Sequence, residues 1–144
     1  MPHIRLMVGT NAPTSKIISA LTTIEGLSKW WTSHTTESTD TNEIIQFRFP
    51  ENGPDMRVIE STGSRVVWEC INGVEEWVGT QIQFNIEEKD EQTFIMFKHA
   101  NWAEETPFMY HCSTKWAVFL LSLKSYLETG KGQPFPHDIQ ITHN

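Results

Sequence analysis

The sequence is poor in cysteine, holding only Cys70 and Cys112 in 144 residues. Two thiols make neither a disulfide framework nor a metal cage by themselves. Both sit among apolar residues, where a buried free thiol is the expected state. Long hydrophobic runs are missing too. The longest, Trp116 to Leu121, falls far short of the roughly 20 residues needed to span a bilayer. The opening residues, Met1 to Leu6, lack a basic segment followed by an apolar stretch, the mark of a secretory leader. These absences predict a reduced, cytoplasmic chain. Positive charge is scarce: 11 Lys+Arg against 18 Asp+Glu give −7, which argues against a protein that tracks nucleic-acid phosphates. Gly63, Gly73 and Gly79 stand alone, so no glycine-rich loop cradles a phosphate.

Catalytic and metal motifs are equally thin. His3, His34, His99 and His111, with the two cysteines, show no HxxxH or CxxC spacing, so neither a metal nor a cofactor is expected. The acidic pairs Glu75-Glu76, Glu87-Glu88 and Glu104-Glu105 lie in polar stretches. There they lack the burial that raises a carboxyl pKa for general-acid work. His111 and Cys112 are adjacent, and neighbours on a helix point about 100° apart. That geometry does not make a nucleophile–base pair.

What is abundant is aromatic bulk: six Trp and eight Phe beside only two Tyr. The length predicts one domain over residues 1–144, large enough to bury roughly 70% of its unfolded surface. His3 to Val8 reads as a strand, and Ala12-Pro13-Thr14 opens a short helix with Pro in its first turn. A second short helix is expected over Glu25 to Trp31. From about Thr35 to Lys98 the period becomes alternating. Ile45, Phe47 and Phe49 share one strand face, a turn covers Pro50 to Pro54, and Met56 to Glu60 and Arg65 to Ile71 follow as strands. Ile82, Phe84 and Ile86 alternate with Gln81, Gln83 and Asn85. A polar loop from Glu87 to Gln92 then leads to a last strand, Thr93 to His99.

Thr106-Pro107 is an N-cap and N1 pair. From there a helix should run to Glu128, with Gly130 just past its end. Trp116, Phe119, Leu120, Leu123 and Leu127 form one stripe on it. Hairpin-length loops force antiparallel strands, and only this stripe can cover the sheet's apolar face. The predicted class is α+β: a curved antiparallel sheet of about six strands around one long C-terminal helix, with two short helices after the first strand. One helix about 10 Å wide cannot fill such a concavity, so large side chains or a ligand must.

These residues resemble a known family. Glu25 to Thr32, with its paired Trp30-Trp31, is similar to the second short helix of START-like helix-grip (SRPBCC) proteins. Within that superfamily it resembles the branch related to the activator of the heat-shock-protein-ninety ATPase. Trp116 to Gly132, with paired leucines and a Gly-Lys-Gly exit, resembles that branch's closing helix. Thr93 to His99 resembles a final strand that commonly ends in histidine. Lys115 stands where the family often has glycine. The eukaryotic co-chaperone carries a further domain for which 144 residues leave no room, so a chaperone partner is not the first expectation.

By alternation, Phe47, Phe49, Trp68, Phe84 and Phe97 should face Trp116, Phe119, Leu120 and Leu123. Together they outline an apolar chamber or, equally, a self-filled core. His99 shares the inward parity of Phe97, while Trp77 and Tyr110 could add polar contacts at the mouth. Burying about 300 Å² of ligand at ~25 cal/mol/Å² yields roughly 7 kcal/mol before association costs, enough for micromolar binding. The leading expectation is a binding protein for a small hydrophobic ligand, lipid-like or aromatic. The superfamily resemblance leaves two others open: a cyclase/aromatase-type enzyme using His99, and an interaction module acting on a chaperone. Phe94, Met96, Val118 and Leu121, turned outward, would suit a homodimer contact.

Overall fold

The computed structural model describes residues 1–37, 43–49 and 52–143. Strand β1 (Ile4–Thr10) leads into helices α1 (Thr14–Thr22) and α2 (Ile24–Trp30). Strands β2 (Thr35–Glu37), β3 (Ile44–Phe47), β4 (Asp55–Ser61), β5 (Arg65–Asn72), β6 (Gln81–Lys89) and β7 (Gln92–Ala100) follow, and helix α3 (Pro107–Thr129) comes last. The strands form one seven-stranded sheet in the order β1-β7-β6-β5-β4-β3-β2, antiparallel at every step. The expected sheet of about six strands gains β2. Its Thr-Thr-Glu sequence has no apolar alternation, and it exists only by pairing Thr35 with Phe47 and Glu37 with Ile45. The expected turn at Pro50 to Pro54 lies partly outside the described residues.

Local chemistry sets the element ends. Pro13 is the N-cap of α1, with φ −72° and ψ 155°, so it precedes the helix instead of occupying its first turn as expected. Thr23 caps α2 by accepting a bond from the Gly26 amide at 2.9 Å. A Cβ on Gly26 would sit 2.6 Å from the Ala20 Cα, so the α1–α2 corner closes around glycine alone. The Trp30 indole donates to the Ala20 carbonyl at 2.9 Å and locks that corner. In place of the expected polar loop, β6 runs on to Lys89. Asp90 and Glu91, with φ of 52° and 67°, make the tight turn into β7.

Helix α3 starts at the expected pair. Thr106 Oγ1 accepts from the Met109 amide at 3.2 Å, and Gly130, at φ 84°, ends the helix. Its 23 residues span about 35 Å at 1.5 Å each. The predicted stripe of Trp116, Phe119, Leu120, Leu123 and Leu127 is buried against the sheet.

The chain beyond α3 carries structure that no periodicity announced. Ser122 Oγ donates to the Trp30 carbonyl at 2.8 Å and accepts from the Gln133 amide at 2.7 Å. The Phe135 amide donates to the Trp31 carbonyl at 2.8 Å, and the Ser33 amide donates back to the Phe135 carbonyl at 3.1 Å. Asp138 then pairs with Lys115 of α3. This C-terminal segment straps across one end of the space between sheet and helix. Among the described residues no helix is long and apolar enough to cross a membrane.

Candidate functional site

Trp31 follows α2 directly and stands at the centre of the aromatic cluster. Its ring lies 4.2 Å from Phe47, 5.0 Å from Trp116 and 6.0 Å from Trp68, parallel to the last within 1°. Phe84 bridges Trp68 at 5.2 Å and Phe97 at 5.3 Å in edge-to-face contacts, an arrangement that stabilises beyond area burial alone. Phe47, Trp68, Phe84, Phe97, Leu120 and Leu123 are all buried. These six, expected inward, pack into the core and do not border open space. Residue parity placed them correctly on the inner face but could not say that this part of the face is filled.

The open space lies beside that core. A groove of about 850 Å³ runs between the N-terminal half of α3, the β5–β6 loop, the chain after β3 and the C-terminal strap. Of the expected site residues, Phe49, Trp77, Trp116 and Phe119 line it. Tyr110 is 58% exposed and lies outside the lining. Phe49 arrives from just past β3, which ends at Phe47. Trp77 is carried in by the loop between Gly73 and Gly79, whose φ angles of 143° and 89° only glycine adopts without strain. Its ring stacks on Trp116 at 5.9 Å with 13° between planes.

His99 is fully buried behind this pair, and its hydrogen bonds fix its tautomer. The Trp116 indole, which can only donate, gives its proton to His99 Nδ1 at 3.0 Å. The proton of His99 must therefore sit on Nε2, which donates to Thr80 Oγ1 at 2.8 Å. The Thr80 hydroxyl donates in turn to the Trp77 carbonyl at 2.6 Å. Burial pushes the His99 pKa down to about 3. Both ring nitrogens of His99 are taken up by these two hydrogen bonds, to Trp116 and Thr80. The work of His99 is to hold Trp116 and, through Thr80, the loop that carries Trp77.

Several groove residues were not expected. Trp31, placed by the sequence in the second short helix, is not among the expected site residues, yet it lines the groove. Cys112 and Lys115 fall at +4 and +7 from Phe108, a second line of helix residues that leads to the expected Phe119 at +11. That spacing was available in the sequence. Phe135 and Asp138 had no local signal, because only the fold of the strap brings them in. Burial raises the Cys112 thiol to about 11, against a smaller opposing effect of the neighbouring Trp77 indole. The thiol therefore stays protonated and is a poor nucleophile.

The charged groups at the groove are paired. Arg48 Nη1 lies 2.8 Å from Asp55 Oδ1 and donates to the Phe47 carbonyl at 3.0 Å. Lys115 Nζ pairs with Asp138 Oδ2, donates to the Ile139 carbonyl at 2.7 Å and stands 5.4 Å from the Phe119 ring centre. Asp138 Oδ1, Trp77 Nε1 and Trp102 Nε1 are buried without a hydrogen-bond partner. Trp102 packs on His99 at 4.8 Å. Among the described residues no three His, Cys, Asp or Glu side chains converge as a metal site.

No protein-family model and no curated protein matches the chain. Solved structures do. The Aha1 dimer from Colwellia psychrerythraea is 47% identical, covering 92% of this chain and 100% of its own, with a TM-score of 0.81. CalU16 from Micromonospora echinospora is 15% identical over 93% of this chain and 70% of its own, with a TM-score of 0.74. SSP2350 from Staphylococcus saprophyticus is 18% identical over 91% and 95%, with a TM-score of 0.71. The last two share the fold alone. A helix-grip architecture with the expected Trp30-Trp31 corner and Gly-Lys-Gly exit, and 47% identity to a full-length relative, place this chain in the Aha1 family of START-like proteins.

Proposed function

We propose that the protein binds a small hydrophobic ligand in the groove between α3, the β5–β6 loop and the C-terminal strap. The observation that carries this reading is a groove of about 850 Å³ whose lining includes three tryptophans and four phenylalanines among polar residues. That volume falls within the range of small-molecule sites, roughly 300–1,000 Å³. At the groove the Cys112 thiol stays protonated, and Arg48, Lys115 and Asp138 are engaged in ion pairs, which favours binding as the reading. Val74 lines the groove while 53% exposed, so Val74→Trp should obstruct it without disturbing the core. A lipid and aromatic library screened by thermal shift should stabilise the parent protein and not this variant. No shift from any compound on the parent would overturn the reading.

A homodimer is a second reading, favoured by the 47% identical relative, which is a dimer. Met7, 58% exposed in β1, lies opposite Met96 of β7 on the outer sheet face, beside Phe94. Light scattering coupled to size exclusion should give twice the 16.6 kDa chain mass. The monomer mass at all accessible concentrations would remove the dimer.

A further inference from the structure

The sheet ends in two unlike edges, β1 and β2. Edge strands in soluble proteins guard their unpaired amides and carbonyls by shortness, charge, proline or bulges. β2 fits that rule, being three polar residues long. β1 does not. Its seven residues, Ile-Arg-Leu-Met-Val-Gly-Thr, hold one charge and no proline. Its register with β7 runs without a shift from Ile4↔His99 to Thr10↔Thr93, whereas β4 against β5 is interrupted twice. Among the described residues no backbone hydrogen bond beyond those to β7 engages it.

The neighbouring hairpin fixes which groups of β1 are free. The two-residue turn at Asp90-Glu91 makes Lys89 and Gln92 a hydrogen-bonded pair. Alternation along β7 then turns the backbone groups of Phe94, Met96 and Lys98 toward β6, and those of Thr93, Ile95, Phe97 and His99 toward β1. Their partners Thr10, Val8, Leu6 and Ile4 take those bonds. The N–H and C=O groups of Arg5, Met7 and Gly9 therefore point away from the sheet along its edge. Lys124 Nζ meets the Gly9 carbonyl at 2.6 Å, which agrees with that direction. Arg5 and Met7 are exposed and Gly9 is half-buried.

We infer that two copies of the chain join β1 to β1, antiparallel about a twofold axis at Met7, so that their seven-stranded sheets run on into one. The inference rests on the dimer reading above and adds the contact that makes it. A twofold contact must be self-complementary, and this register is. Met7 faces Met7 of the second copy and Arg5 faces its Gly9, so all three outward residues fall in hydrogen-bonded pairs. The two Arg5 side chains stand four residues apart, roughly 14 Å at about 3.4 Å each, beyond the Debye length of about 8–10 Å. Sliding the strands to set Arg5 against Met7 would halve that separation. Sliding them the other way sets Arg5 against Asn11, past the end of the strand. Because Met7 lies opposite Met96 within each copy, the outer face would carry four adjacent methionines in a row across the junction, covering one another as cross-strand neighbours do.

Met7→Pro tests the contact, because it removes an N–H that the monomer's own ladder does not use and places the ring where the second copy must pair. By light scattering the parent should be a dimer and Met7→Pro a 16.6 kDa monomer, with the parent's far-ultraviolet circular dichroism. Hydrogen exchange locates the contact without any substitution. Where about nine-tenths of the chains are dimeric, the Met7 amide should exchange about tenfold more slowly than after dilution to monomer, since exchange then waits on dissociation. Two copies stacked through their outer sheet faces would leave that amide exchanging at the monomer's rate. A dimer with an unprotected Met7 amide, or one that survives Met7→Pro, would overturn the edge contact and leave the dimer reading standing. If Met7→Pro does not fold, the parent's exchange decides alone. A parent that is monomeric at all accessible concentrations takes both readings down.

Discussion

The buried His99 makes a quantitative prediction about stability and pH. Its folded pKa of about 3 lies below the ordinary 6.5. Between those values the unfolded chain binds a proton that the folded protein excludes, so stability rises with pH. The contribution is complete above about 6.5 and is lost as pH falls toward 3. Going from pH 7 to pH 5 should cost about 2 kcal/mol from this residue alone, since each pH unit below 6.5 is worth about 1.4 kcal/mol. His99→Phe removes the titrating group while keeping a ring against Trp77 and Trp102, each 4.8 Å away. At pH 7 that variant should lose about 1–3 kcal/mol, because the Trp116 indole is left without an acceptor. Urea unfolding at pH 7, 6 and 5 should then show the parent losing about 2 kcal/mol more than the variant over that range. His3 and Glu128, whose pKa values are also lowered, are common to both proteins and cancel in the difference. Parallel pH profiles would refute the reasoning: His99 would then be charging inside the fold, and the Trp116–His99–Thr80 chain would be wrong.

Other predictions concern the strap and the thiols. Lys115→Met strips the buried Asp138 of its partner and should cost about 1–3 kcal/mol, moderated because the Lys115 side chain is 20% exposed. Hydrogen exchange at the Ser33 and Phe135 amides should accelerate, and unchanged protection would detach the ion pair from the strap. A Cβ on Gly132 would collide with the Lys29 carbonyl and Ser122. Gly132→Ala should therefore destabilise by about 1–3 kcal/mol, whereas Gly63→Ala, with nothing within 4 Å, should stay within about 0.5 kcal/mol in the same chemical denaturation. Burial raises both thiols to about 11, so only about one in a thousand is thiolate at pH 8. Ellman's reagent should react with them at the rate of global unfolding, and fast labelling of the folded protein would contradict that environment.

The sequence made α3 legible because its cap, stripe and terminal glycine agree, and it made β6 legible because Ile82, Phe84 and Ile86 alternate cleanly. β2 was hidden because Thr35, Thr36 and Glu37 have no apolar pattern and owe their conformation to β3. The site was half legible for a related reason. Alternation tells which face of a strand a residue occupies, so Trp68 and Phe84 were placed inward. Where the inner face is filled and where it stays open depends on how Trp31 packs and how the strap crosses. Those are long-range contacts, Phe135 to Trp31 and Asp138 to Lys115, that no local period encodes. The resemblance supplied the element order but not the groove, since its motifs are the core residues of the grip.

The central claim is that the groove holds a small molecule, and native mass spectrometry of protein purified without denaturation tests it most directly. The account predicts a small-molecule adduct on the parent protein that is absent from Val74→Trp prepared in parallel. A parent protein that stays bare both as purified and after incubation with an aromatic library, or an adduct that persists unchanged in Val74→Trp, would contradict it.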